Sequence, residues 1–177
     1  MEYRSLFERM HPGFFGAAFI KSLPEDAVYA ELIMDLRSSG PNPAPDPCPG
    51  HISFGMYSGE PGMLREAVSR VDEDWIQYYG GKNRAFCAFD GERIASFCIL
   101  EDWGILDGLH IGGTGCVGTV PAYRKQGIGL EMVRRATNVL KAEGFGISWV
   151  HYTHLWSWYE KLGYRTVLEW NRGGFIS

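Results

Sequence analysis

The run Gly115-Cys116-Val117-Gly118-Thr119-Val120-Pro121-Ala122-Tyr123-Arg124-Lys125-Gln126-Gly127-Ile128-Gly129-Leu130 decides how the rest of the chain is read. Its first half is a β-branched segment that Pro121 must end, because proline has no N–H to give to a ladder. From Ile128 the apolar spacing turns helical and continues to about Glu143, with Leu130, Met132, Val133, Ala136, Val139 and Leu140 on one face. A strand, a tight turn, a glycine-bearing loop and a helix N-terminus together make an anion site. The unpaired N–H groups of the first turn point outward, and the helix dipole favours negative charge there. Gly127 and Gly129 let a phosphate approach the backbone, and Arg124 and Lys125 add two cations beside it.

Gly113-x-Gly115-x-x-Gly118 also spells the dinucleotide fingerprint. That motif requires a helix opening on its glycines. Here it runs into Val120-Pro121, so its glycines belong inside a strand, where they mark a bulge or a close ligand approach.

Further features extend the pattern. The strand ends in Val120-Pro121, the loop reads Arg124-x-x-Gly127-x-Gly129, and downstream comes Trp158-Tyr159-Glu160-Lys161-Leu162-Gly163-Tyr164. Together these resemble the GCN5-related N-acetyltransferase (GNAT) family over about residues 51–177. The family's loop is Gln/Arg-x-x-Gly-x-Gly/Ala, and its second signature ends in Tyr-x-Lys-x-Gly-Phe, with Tyr164 standing here for Phe. The resemblance implies a mixed α/β fold, a mostly antiparallel central sheet flanked by helices. It also implies acetyl-CoA as acyl donor, with its pyrophosphate on Arg124, Lys125, Gln126, Gly127, Ile128, Gly129 and Leu130. Its pantetheine would pair with the main chain of Gly118, Thr119 and Val120 in a gap where the strand bulges and splays. One N–H there, assigned to Val120, would polarise the thioester carbonyl. Tyr159 stands at the place of the family's catalytic tyrosine. An ordinary phenol is about 1.5 pH units weaker an acid than a thiol, so Tyr159 is expected to donate a hydrogen bond to the departing thiolate.

The chain departs from the family at the base. Many members carry a glutamate on the strand entering the loop, whereas Thr114 to Thr119 offers no carboxylate. Glu101, Asp102, His110, His151 and His154 are the substitutes within reach of that strand in sequence, and water is another. Tyr152 and Leu155 occupy positions where relatives commonly have Asn and Ala, and Thr153 is the candidate to replace the asparagine's contact.

The chain has 177 residues, 45% hydrophobic and 14% aromatic, which suits a globular α/β chain with a sizeable core. A net charge of −4 supplies no basic field for nucleic acid. The four cysteines show no Cys-x-x-Cys pair and read as reduced thiols of a cytoplasmic protein. His151-x-x-His154 straddles a strand end without a third ligand, so no metal is expected. The first residues do not form a signal peptide, and no apolar run there spans a bilayer.

Residues 1–50 read as an N-terminal extension, a lid or a homodimer arm, joined by a Pro-rich linker over Ser38 to Gly50 to a catalytic domain at 51–177. Within the extension, Tyr3 to Met10 has helical spacing, and Ala27 to Leu36 alternates as a strand, although Pro24-Glu25-Asp26 would also open a helix. Beyond it the pattern gives a strand at Ile52 to Met56 and a helix from Met63 through about Tyr79. A hairpin over Arg84 to Leu100 turns at Asp90-Gly91-Glu92, and a looser connection covers Glu101 to Gly113. Strand, helix and strand then follow over Ser148 to Trp170. The expected activity is acetyl transfer to a primary amine of a small molecule by direct attack, with no nucleic acid or membrane partner. Alternatives are protein N-acetylation and non-catalytic acyl-CoA binding.

Overall fold

Alternating apolar residues build one eight-stranded sheet in the computed structural model, which describes residues 2–38, 47–80 and 83–177. In chain order the strands are β1 (Tyr29–Asp35), β2 (Ile52–Met56), β3 (Arg84–Asp90), β4 (Arg93–Leu106), β5 (Leu109–Thr119), β6 (Ile147–Thr153), β7 (Arg165–Asn171) and β8 (Gly174–Phe175). The helices are α1 (Tyr3–Met10), α2 (Ala18–Lys21), α3 (Pro61–Ser69), α4 (Ile128–Ala142) and α5 (Trp156–Glu160). The order across the sheet is β2-β3-β4-β5-β6-β1-β7-β8, with β5 and β6 parallel and every other pair antiparallel. This is the mixed, mostly antiparallel α/β sheet that the sequence implies.

β5 and β6 pair only at Ile111–Ile147 and Gly112–Ser148. Beyond that, β5 continues along β4 while β6 turns to β1, so the sheet opens between them. α4 and α5 cover one face over a core that includes Leu32, Met132, Val133, Ala136, Leu140, Val150 and Leu162. On the opposite face α3 packs over the β2–β4 half through Leu64 and Val68, and α1 packs over the β6–β1–β7 half through Leu6 and Phe7. Arg9 clamps α1 to the β4–β5 turn by two hydrogen bonds to Asp107, of 2.9 and 2.6 Å.

Three expectations need correction. The boundary at residue 50 does not divide the sheet: β1 lies inside it, bonded to β6 on one side and β7 on the other. Its residues Ala30, Leu32 and Ile33 are fully or almost fully buried, so the N-terminal region is structural. The helix expected through Tyr79 stops at Ser69, and a 3-10 turn resumes at Glu73–Tyr78. Asp72 interrupts it, because its carboxylate accepts the Asp74 N–H at 2.9 Å in place of a helical carbonyl. The loose connection at 101–113 is instead a long hairpin turning on Asp107-Gly108. Both turn residues have positive φ, 51° and 76°, as a tight two-residue turn requires. The expected linker falls at 39–46 outside the described residues.

Candidate active site

The loop before α4 is built as a donor nest. Gly127 takes φ 74° as N-cap and offers no side-chain cap, and the first N–H of the following turn to find a helical carbonyl is that of Glu131, at 3.1 Å. The N–H groups of Ile128, Gly129 and Leu130 are thus left to an external acceptor. Gly129 has a second reason to be glycine: a Cβ there would stand 2.6 Å from Thr119 Oγ1, so its absence lets α4 seat against the end of β5. Arg124 folds back, its Nε donating to the Thr119 carbonyl at 3.0 Å, and Gln126 Nε2 donates to the Ala122 carbonyl at 3.2 Å.

The strand leading into this loop carries the expected bulge. Ile99 pairs with Gly115 and Phe97 with Gly118, so Cys116 and Val117 stand opposite Cys98 alone. Cys116 has φ 44°, and its carbonyl accepts the Tyr79 hydroxyl at 2.6 Å. Burial pushes the Cys116 thiol up to about 12, so it remains protonated and does not serve as a nucleophile at neutral pH.

A cavity of about 520 Å³ lies where the end of β5, the loop before α4 and α5 meet. Of the predicted residues, Gly118, Thr119, Arg124, Lys125, Gly127, Ile128, Gly129 and Leu130 line it, together with Tyr159. Val120 and Gln126 do not. Val120 is buried, and its N–H donates to the Ala95 carbonyl at 3.0 Å, which removes it as a donor to a thioester. Amides alternate between the two edges of a strand, so the Thr119 N–H faces the opening instead. Sequence reading missed Val71, Val117, Tyr123, Leu155, Trp158 and Lys161 in the lining. Lys161 and Trp158 flank Tyr159 in the quoted motif, and that adjacency was the available signal. Thr153 is buried and does not line the cavity, and its Oγ1 accepts the Leu155 N–H at 3.0 Å.

Residues 81–166 match the acetyltransferase (GNAT) domain model. The matched stretch is just under half of the chain. Among solved structures the chain resembles the GCN5-related glucosamine N-acetyltransferase region of a fungal multi-domain GH3 β-N-acetylglucosaminidase. That likeness has a TM-score of 0.67 and 24% identity over 82% of this chain and 20% of that one. A GCN5-related N-acetyltransferase from Kribbella flavida follows at TM-score 0.56 and 17% identity, over 88% of this chain and 60% of that one. Another from Sphaerobacter thermophilus has TM-score 0.55 and 15% identity, over 80% and 49%. The chain spans 20%, 60% and 49% of the lengths of these three, and at such identities the likeness is one of fold. No curated protein matches the chain.

Within the matched stretch Tyr159 is buried between Trp158 and Tyr164, with ring centroids 4.8 and 5.9 Å away. Burial pushes its phenol far above the ordinary tyrosine value, the nearby Tyr164 adding to the shift, so it keeps its hydrogen to donate.

The base candidates separate into two groups. Asp102 and His110 pair with each other at 2.8 Å near Glu143 and Arg84, beside the C-terminal end of α4. His154 is exposed beyond β6. Glu101 and His151 flank the opening between β5 and β6, Glu101 on β4 opposite Gly113 and His151 on β6 three residues past its last pair with β5, and neither lines the 520 Å³ cavity. A Cβ on Gly115 would lie 2.7 Å from Glu101 Oε2, so glycine makes room for this carboxylate over the edge of β5. Burial raises the Glu101 carboxyl from its ordinary value, while nearby His151 acts the other way.

Proposed function

We propose that this chain transfers the acetyl group of acetyl-CoA to a primary amine of a small molecule, by direct attack and without a covalent enzyme intermediate. The observation that carries the reading is the cavity at the end of β5, between the start of α4 and α5. It joins an uncapped helix N-terminus with Arg124 and Lys125 at one end to a buried, protonated tyrosine at the other. The donor set fits coenzyme A: three free N–H groups and two cations suit a pyrophosphate. An unpaired strand edge suits the amides of a pantetheine arm.

Bound acetyl-CoA would supply the acetyl group as a thioester. In this reading the Thr119 N–H donates to the thioester oxygen, where negative charge grows during attack. Tyr159 donates to the sulfur as the thiolate departs, and its burial keeps that donor in the water-excluded end of the cavity.

The test is release of free thiol from acetyl-CoA against a panel of amines that includes glucosamine, the acceptor named for the fungal region of similar fold. Amine-dependent thiol release supports the reading. In parallel, coenzyme A at a hundred times its dissociation constant should stabilise the fold by about 2.7 kcal/mol. Arg124→Glu should erase that shift while leaving the unliganded chain folded. Binding without thiol release for any amine would leave an acyl-CoA-binding module.

A further inference from the structure

The β6 strand carries a second bulge at the far lip of the opening. Ala30 pairs with Thr153 and Leu32 with Val150, so His151 and Tyr152 together oppose Glu31 on β1. Tyr152 takes φ 56° there. Glu31 has no exposed surface, yet its carboxylate is fully used as an acceptor. It receives Trp149 Nε1 at 2.6 Å, Trp170 Nε1 at 2.8 Å and the Tyr152 backbone N–H at 3.1 Å, and His151 Nδ1 lies 3.0 Å away. The other three partners can only donate, which makes the carboxylate an acceptor to the ring as well. A hydrogen on Nδ1 completes that set of donors, and whenever the ring carries no second hydrogen Nε2 holds the lone pair. Nε2 makes no hydrogen bond to any described residue, and the side chain is 20% exposed.

We propose that His151, positioned by the buried carboxylate of Glu31, takes the proton that the acceptor amine sheds, an inference that rests on the acetyltransferase reading above. The amine nitrogen forms its bond to the thioester carbon. The C–S bond breaks with its electron pair left on sulfur, the nitrogen's proton passes to His151 Nε2, and it leaves from there to solvent. This supplies the base that β5 lacks. It also gives the N-terminal strand a role in the chemistry, since Glu31 comes from β1.

The groups facing His151 are Glu31 from β1, Tyr152 from its own strand, Glu101 from β4, and His11 after α1, whose ring stacks on it at 3.9 Å. His11 is held neutral, its value lowered to about 4 by burial first and by His151 second, so it does not compete for the proton near neutral pH. Glu101 is the rival base.

The experiment is the pH profile of kcat and kcat/KM for thiol release, with an amine that the panel shows to be accepted. It compares the wild type with His151→Gln, Glu31→Gln and Glu101→Gln. The expected result for His151→Gln is a kcat lower by about a hundredfold or more, with the coenzyme A thermal shift kept. Its rate should climb with pH where the wild type has levelled, and added imidazole should restore part of the rate of His151→Ala. Glu31→Gln should lower kcat while keeping the coenzyme A thermal shift, because the carboxylate that orients the ring is gone. If Glu31→Gln loses its cooperative melt, the His151 variants carry the test alone. An active wild type whose acid limb survives in His151→Gln overturns the inference, and its loss in Glu101→Gln would give the role to Glu101. A wild type that binds coenzyme A and releases no thiol overturns the enzyme reading itself, and this inference with it.

Discussion

His11 and His151 lie ring on ring, with centroids 3.9 Å apart and planes 13° from parallel. The contact joins the residue that ends α1 to the lip of the site, and it makes the site sensitive to acid. His11 Nε2 is buried without a hydrogen-bond partner among the described residues. Burial chiefly, and the neighbouring His151 second, lower the His11 value from 6.5 to about 4. Below 6.5 the unfolded chain takes up a proton that the folded chain refuses, so stability falls as pH drops from 6.5 towards 4. The loss is of the order of 3 kcal/mol at most, given about 1.4 kcal/mol per pH unit. His11→Phe should flatten this limb. Denaturant midpoints of the two chains between pH 4 and 7 check it, and parallel curves would exclude His11 as the cause.

A fragment of residues 51–177 should not fold. It would lack β1, and with it the partner of both β6 and β7 and the buried Leu32 and Ile33. It would also leave Trp149 Nε1 and Trp170 Nε1 without the carboxylate that accepts them. An unpaired buried polar group costs about 1–3 kcal/mol, before the lost apolar burial is counted. Amide dispersion in an NMR spectrum, or a cooperative melt, from that fragment would refute this.

Gly129→Ala should weaken coenzyme A binding by moving the helix rather than by touching the ligand. Its Cβ would meet Thr119 Oγ1 at 2.6 Å, so either that side chain leaves its bond with Ser96 or α4 lifts from β5. Overpacking of this kind costs about 1–3 kcal/mol. Pairing the change with Thr119→Ala removes the obstructing oxygen, so the double variant should recover most of the lost stability. An additive double variant would show that the contact is not the reason for glycine.

Tyr159→Phe should lower turnover at least about tenfold, since acid assistance is typically worth about a hundredfold or more. Coenzyme A affinity should change little, because a donor to sulfur matters chiefly as charge develops. The ring remains to pack against Trp158 and Tyr164, so the melting temperature is the control. Lost affinity together with lost turnover would mark Tyr159 as a packing residue.

The local parts of this protein were legible in its sequence. Val120-Pro121 ends the strand, Gly127 starts the helix and Asp90-Gly91 turns a hairpin because each acts on its own backbone within a few residues. The same is true of the expected bulge between Gly115 and Gly118. Asp107-Gly108 carries the same hairpin signal, but the glycines around it read as a loop. What only the tertiary structure decided is which strand lies beside which. Periodicity tells a strand's buried face but not its neighbour, so Ala27 to Leu36 could be read as a strand and its place between β6 and β7 could not. Glu31 shows the consequence: one acid in an apolar strand has no assigned partner in the sequence. Its partners, Trp149, His151 and Trp170, lie 118, 120 and 139 residues away. The ladder direction of the Val120 N–H likewise depended on pairing with Ala95, a long-range choice made by the packed sheet. Local chemistry determined the glycine-bearing loop before α4; burial and strand pairing determined which side chains face it.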